Sequence, residues 1–281
     1  GFPLRGFNLV LTGDVPLGAG LSSSAAVECA VIFALNECFG FQIAKMDMVR
    51  MAQQAEHEYT GVKCGIMDMF ASMFGKKGYA IKLDCRSLAY DYVPLQLDGL
   101  KILLLNTNVK HSLASTAYNE RREQCEQGVR WVQEIYPSVQ SLRDVTQDML
   151  DRHVLPRDIL INRRCQFVLK ENERLLTACT QLQNGLMAEL GNEMFASHEG
   201  LSGEYEVSCH ELDFLVAYVK NKPGILGARM MGGGFGGCTI NLVEEWCVAP
   251  LLDTLMPAYY EATGLALTAH VVETADGTSL I

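Results

Sequence analysis

Pro16-Leu17-Gly18-Ala19-Gly20-Leu21-Ser22-Ser23-Ser24-Ala25-Ala26 is a glycine-rich loop that runs through three serines into a helical pattern. The apolar positions Ala26, Val27, Ala30, Val31, Ala34 and Leu35 carry that pattern. Glycines let the backbone approach a ligand closely and adopt positive φ. The free N–H groups at the following helix start, reinforced by the helix dipole, form a site for an anion. The serines add hydroxyls for phosphate oxygens or a metal ion. No Lys-[Ser/Thr] follows the last glycine, so this is not a Walker A loop. One glycine and one N-cap serine would also account for part of the pattern without any ligand.

Working outward, the alternating residues 7–11 predict a strand over 6–12 that ends in Gly13-Asp14-Val15-Pro16. Downstream, a second helix is expected over about 46–59, closed by Gly61. A short apolar helix follows over 64–74, then a hairpin of 79–83 with 90–95 and a buried strand over 101–106. Helices are expected at about 114–136, 160–183, 185–199 and 208–221. Strands at 238–243 and 268–273 then flank a helix at about 247–262. Strands and helices mix without a regular βαβα beat, which predicts an α+β fold. The division is placed at 97, giving domains 1–97 and 98–281.

Composition excludes several classes. The 281 residues are 49% hydrophobic and 20% charged, enough apolar material for a sizeable core. The net charge of −10, without a basic stripe, argues against a nucleic-acid partner. An anionic ligand would have to be met by local backbone donors, a metal ion or single cations. The ten cysteines form no C-x-x-C pair, so zinc has no support. Cys29, Cys38, Cys64, Cys179, Cys238 and Cys247 lie in apolar or small-residue surroundings and are expected to pack as reduced thiols, which points to the cytoplasm. No apolar run reaches membrane-spanning length, so no membrane partner is expected.

Three further stretches could carry chemistry. Glu56, in Gln53-Gln54-Ala55-Glu56-His57, shares a helical stripe with Val49, Ala52 and Tyr59. A carboxylate at that apolar edge needs a divalent cation or a buried Lys or Arg beside it. The zinc-protease spacing fails at His57 and again at His198-Glu199. Asp68 is the lone acid in Gly65-Ile66-Met67-Asp68-Met69-Phe70-Ala71, a setting suited to proton transfer or to structural capping. Met231-Gly232-Gly233-Gly234-Phe235-Gly236-Gly237-Cys238 formally matches G-x-G-x-x-G but leads into a strand, so the dinucleotide reading is rejected. Such a loop still passes very close to a ligand or to another loop.

Taken with Cys64-Gly65-Ile66-Met67-Asp68, the two glycine-rich stretches resemble the GHMP small-molecule kinases, and within them the galactose-phosphorylating branch. Asp84-Cys85-Arg86-Ser87-Leu88, Asn108-Val109-Lys110-His111-Ser112-Leu113-Ala114, Tyr118 before Arg121-Arg122, Tyr205-Glu206-Val207-Ser208 and Ala275-Asp276-Gly277 extend the likeness in order along the chain. The resemblance implies a two-domain fold with the ATP and substrate site in the cleft between the domains. It implies that Gly18, Gly20, Ser22, Ser23, Ser24, Gly233 and Gly234 bind ATP and that Ser23 and Glu56 hold Mg²⁺. Asp68 would be the catalytic base or electrostatic orienter, with Asp68, Gly65 and Tyr118 touching the sugar. The 232–237 loop would help close the nucleotide site, and the enzyme would be a monomer.

Two departures accompany the resemblance. The family's amino-terminal Gly-Arg-x-Asn-x-Ile-Gly-Glu-His-x-Asp-Tyr-like motif does not occur here, so the expectation is that about a quarter of such a chain, with much of its sugar site, precedes Gly1. Met69 stands where close relatives usually have glutamine. Kinases of N-acetylgalactosamine, galacturonate or arabinose and an inert sugar-sensing relative stay open as alternatives. The complete Ser22-Ser23-Ser24-Ala25-Ala26 favours the enzyme over the sensor.

Overall fold

The computed structural model describes residues 2–16, 20–109 and 114–280. They divide into two compact units, one of residues 1–96 with 273–281 and one of residues 97–272. The tail returns to the first unit because Lys45 Nζ donates to Thr278 O at 2.8 Å and Thr278 N–H to Ser72 O at 2.8 Å. A linear division at 97 does not provide for that return.

In the first unit, α1 (Ser23–Phe39), α2 (Lys45–Ala55) and α3 (Met67–Phe74) pack around Cys29, Met48, Val49, Ala52, Met69, Phe70 and Met73. The buried positions 48, 49 and 52 of α2 repeat at helical spacing, which is why that face turns inward. Gly40 closes α1 at φ 64, where its N–H reaches Asn36 O. The hairpin β1 (Tyr79–Leu83) and β2 (Tyr90–Pro94) completes the unit, paired from Tyr79↔Pro94 to Leu83↔Tyr90.

The strand expected over 6–12 does not form. A strand needs a neighbour to close its hydrogen bonds, and among the described residues β1 and β2 pair only with each other. Phe7, Leu9, Val10 and Leu11 are exposed, although the Phe7 ring meets Phe39 edge-on at 6.2 Å. The second helix also differs from expectation. After Ala55 it widens into a π turn, Glu56–Thr60, before Gly61 at φ 73 ends it. The wider turn carries Tyr59 off the apolar stripe, leaving it 88% exposed.

The second unit is built on an antiparallel sheet in the order β4 (Ile225–Met230), β5 (Cys238–Glu244), β3 (Leu100–Asn106), β6 (Thr268–Val272). Leu103 and Leu105 of β3 are fully buried against Leu215 and Val219 of α8 (His210–Val219) and Leu255 and Tyr259 of α9 (Val248–Thr263). Each such side chain contributes about 1.5–3 kcal/mol of burial free energy. A helical layer, α4 (Ala114–Gln133), α5 (Gln147–His153) and α6 (Ile159–Gln183), packs around Val132, Leu150 and Cys165. α7 (Met187–Gly203) lies on β4. The observed class is therefore α+β.

β4 and α5 were not expected from the sequence. Gly227 interrupts the apolar alternation of β4 because α7 comes into backbone contact there: a Cβ on Gly227 would lie closer than 3.0 Å to Gly191 Cα. Cysteine burial also differs in part. Cys29, Cys238 and Cys247 are buried and Cys64 and Cys179 half-buried, but Cys38 is exposed, whereas Cys165 lies in the core. Cys38 is next to last in α1, ahead of its glycine cap, where the helix face turns to solvent.

One polar link ties α7 to the sheet. His198, 5% exposed, accepts the Met230 N–H on Nδ1 at 3.1 Å and directs Nε2 to Asp213 Oδ1 at 3.1 Å. Asp213 also accepts from Ser202 Oγ at 2.9 Å and Ser208 Oγ at 2.6 Å. A second proton on Nδ1 would face the Met230 N–H. Burial pushes the imidazole below its ordinary 6.5, against the opposing pull of Asp213 and with a smaller push from Arg229. The unfolded chain therefore binds the extra proton more readily. Stability from this residue is complete above about pH 6.5 and is lost as pH falls from there toward the lower folded value. His198→Gln should flatten the drop in melting temperature between pH 7.5 and 5.5. The same drop in both proteins would refute the assignment.

Candidate active site

In the first unit the candidate residues gather at one end of the three helices. Gly18 lies outside the described residues. Gly20 has φ 71, and Ser22 is itself left-handed at φ 53 and accepts the Ala26 N–H at 3.0 Å through its carbonyl. Its hydroxyl makes no cap bond, and no acid stands in the first turn of α1. The bland explanation of the serines as an N-cap therefore fails for Ser22. The helix start keeps donors that an anion can take. Ser22 and Ser23 are half-buried and Ser24 is exposed.

Glu28, one turn beyond Ser24, was not singled out from the sequence. Its i+4 spacing from Ser24 was the available signal. Burial, and then the nearby charge of Glu56, push its carboxyl up to about 7. Its Oε2 is buried with no hydrogen-bond partner among the described residues. Glu56 is half-buried at the first position of the π turn, a geometry enriched at functional sites. Among the described residues no donor satisfies the buried Glu28 Oε2, whose carboxyl feels the charge of Glu56, and a divalent cation would offset both carboxylates.

The π turn also reaches the segment that leads to Asp68. His57 Nε2 lies 2.9 Å from the Cys64 carbonyl, and Gln53 Nε2 donates to the same oxygen at 3.2 Å. Burial, then the charges of Glu56, Asp68 and Glu28, raise the Cys64 thiol, so these groups share one electrostatic neighbourhood. Asp68 stands in the first turn of α3, half-buried, with Gly65 exposed just before it. The N-cap of α3 is Ile66, and the Asp68 carboxylate has no hydrogen-bond or ion-pair partner among the described residues, so capping does not explain it. Met69 is 2% exposed and packs into the core, and its carbonyl accepts from Cys29 Sγ at 3.6 Å. The residue beside Asp68 that departs from the family pattern thus serves the interior.

In the second unit, Tyr118 on α4 is half-buried and lines a cavity of about 660 Å³ together with Cys125, Val129, Leu142, Val168 and Tyr205. The stretch 110–113, part of a family-like motif, lies outside the described residues. The 232–237 loop joins β4 to β5 through positive φ at Gly232, Gly234, Phe235, Gly236 and Gly237. A Cβ on Gly233 would come within 3.4 Å of Tyr118 Cδ2. At Gly234 a Cβ would lie closer than 3.0 Å to the Val207 carbonyl. The sequence left open whether this loop passes a ligand or another loop. On the Gly234 side its neighbour is the segment around Val207.

Against known families, residues 1–76 match the model for the GHMP kinases N terminal domain and residues 178–245 that for the GHMP kinases C terminal. Galactokinases of Thermotoga maritima and Thermotoga neapolitana are 43% and 45% identical over all 281 residues, which span 78% of each relative. The crystal structure of Lactococcus lactis galactokinase complexed with galactose superposes with a TM-score of 0.90 at 33% identity, covering 95% of this chain and 69% of that one. The chain belongs to the GHMP kinases and, within them, to the galactokinases.

Proposed function

We propose that the protein transfers the γ-phosphoryl group of ATP to the anomeric hydroxyl of galactose, giving galactose 1-phosphate. The observation that carries this reading is the unpartnered Asp68 carboxylate, which shares with Glu56 and Glu28 the electrostatic neighbourhood of the Cys64 thiol. Family membership supplies the substrate class. In-line phosphoryl transfer depends on positioning and on neutralising charge. The uncapped start of α1, with Gly18, Gly20, Ser22, Ser23 and Ser24, offers backbone and hydroxyl donors to the phosphates, and Gly233 and Gly234 line the nucleotide. Asp68 takes the proton of, or orients, the sugar hydroxyl, while Gly65 and Tyr118 contact the sugar. Ser23 and Glu56 would hold Mg²⁺, and the orphaned Glu28 oxygen near Glu56 marks a local excess of negative charge that fits a cation. Bound Mg²⁺ would offset charge on the phosphates.

A monomer of the cytoplasm with ATP and the sugar as partners completes the proposal. Among the described residues no helix is long and apolar enough to cross a membrane. The test is phosphorus NMR on the product of the complete reading frame, with Mg-ATP and a panel of galactose, N-acetylgalactosamine, galacturonate and arabinose. A sugar 1-phosphate signal should grow fastest with galactose as ATP is consumed. ATP loss independent of sugar, or a faster reaction with another sugar, would overturn the assignment.

A further inference from the structure

The 232–237 loop has no helix or strand of its own. It is held by the turn at 204–207 that follows α7. Val207, 3% exposed, accepts the Phe235 N–H on its carbonyl at 2.7 Å, and that carbonyl occupies the space a Gly234 side chain would need. The Val207 N–H donates to Leu201 O at 3.0 Å. Glu206, just before it, is held at φ 54, a left-handed conformation that a residue with a side chain keeps only when its surroundings impose it.

Three guanidinium groups surround Glu206, those of Arg121, Arg164 and, more loosely, Arg163, whose Nη1 lies 3.5 Å from Glu206 Oε1. Arg121, one turn after Tyr118 on α4, donates to Tyr205 O at 2.8 Å and to Glu206 O at 3.2 Å. Arg164 on α6 is 1% exposed, donates to Glu204 O, and pairs through Nη2 with Glu206 Oε2 at 2.6 Å. The Arg164 hydrogen bond holds the Glu206 carboxyl below the usual carboxylate range. The Arg164 Nε has no partner among the described residues. A buried cation with an unmet donor adds little net stability, and packing alone would be served by an apolar residue. Its fork joins a backbone carbonyl and a carboxylate on either side of one residue, which a lysine point charge cannot do.

We propose that Arg164 is a positioning residue for the glycine loop: through the 204–207 turn it fixes the Val207 carbonyl, and with it the Phe235 N–H and the backbone at Gly233 and Gly234. The inference rests on the reading of that loop as a nucleotide contact. Wild type, Arg164→Lys, Glu206→Gln and Gly234→Ala are compared by calorimetry with a non-hydrolysable ATP analogue and Mg²⁺, by hydrogen exchange at the Phe235 amide, and by thermal unfolding. In Arg164→Lys, analogue affinity should fall and Phe235 exchange should quicken, each by about tenfold, as expected for one lost charge-assisted hydrogen bond. Glu206→Gln should move both readouts the same way by a smaller factor, and it keeps the test decisive if the lysine variant folds poorly. A lower melting temperature in both variants, with affinity and Phe235 exchange at wild-type values, would make Arg164 merely structural and overturn the proposal. Unchanged affinity in Gly234→Ala would instead refute the nucleotide role of the loop, and Phe235 exchange in Arg164→Lys would then decide the positioning role alone.

Discussion

Asp68→Asn should lower kcat by about 10²–10⁴-fold, the range associated with a positioned proton acceptor, while ATP affinity stays near the wild-type value. The substitution keeps shape and removes only charge and proton-accepting capacity. The core contacts of α3 come from Met69, Phe70 and Met73, whose burial does not involve the Asp68 carboxylate. That carboxylate makes no hydrogen bond among the described residues for the amide to break, so the melting temperature should hold as well. The phosphate donors proposed on α1 belong to a different helix, which is why nucleotide binding is expected to survive. Steady-state kinetics with galactose and Mg-ATP, alongside calorimetry with an ATP analogue, separates these effects. Turnover within a few-fold of wild type would remove Asp68 from the chemistry. A parallel loss of ATP affinity would place it in nucleotide binding instead.

What the sequence made legible follows from how local each signal is. The glycine-serine loop, the α1 helix and the isolated Asp68 are read from consecutive residues, and the hairpin at 79–94 from alternation between turns. Features set by tertiary partners were hidden. β4 reads poorly because Gly227 and Arg229 break its alternation, and the glycine is there for α7 rather than for the strand. Residues 7–11 read as a strand because alternation describes a face, not a neighbour, and no described strand pairs with them. The π turn at Glu56 is invisible to a 3.6-residue stripe, so Tyr59 was placed on the wrong side. Glu28 escaped notice because a glutamate inside a helix is ordinary until a second carboxylate faces it. Tyr205-Glu206-Val207-Ser208 was visible as a family-like string, but its link to the glycine loop depends on Arg121 and Arg164, 84 and 42 residues away respectively.

The same contrast between local and tertiary demands makes Gly191→Ala the substitution expected to damage stability most. By helix propensity alone, alanine in α7 would be an improvement of up to about 1 kcal/mol. At this position the new methyl would sit closer than 3.0 Å to the carbonyl carbon and oxygen of Leu226. Those atoms are backbone of β4 at the bulge between Ile225 and Gly227, and the residues on either side are paired with β5, so they cannot swing aside as a flexible side chain would. Relief requires α7 to lift from the sheet, which loosens the His198 bond to Met230 N–H two turns further along and the base of the glycine loop that begins at Met231. Overpacking of this kind costs about 3 kcal/mol or more where no flexible neighbour can yield, which corresponds to a melting temperature lower by roughly 6–12 °C for a chain of this size. Gly203→Ala, in the last residue of the same helix, adds a methyl with nothing within 4 Å and should leave the melting temperature unchanged or slightly raised. Thermal unfolding of the pair decides the matter, since equal midpoints would mean that α7 and β4 are not held in backbone contact at Gly191.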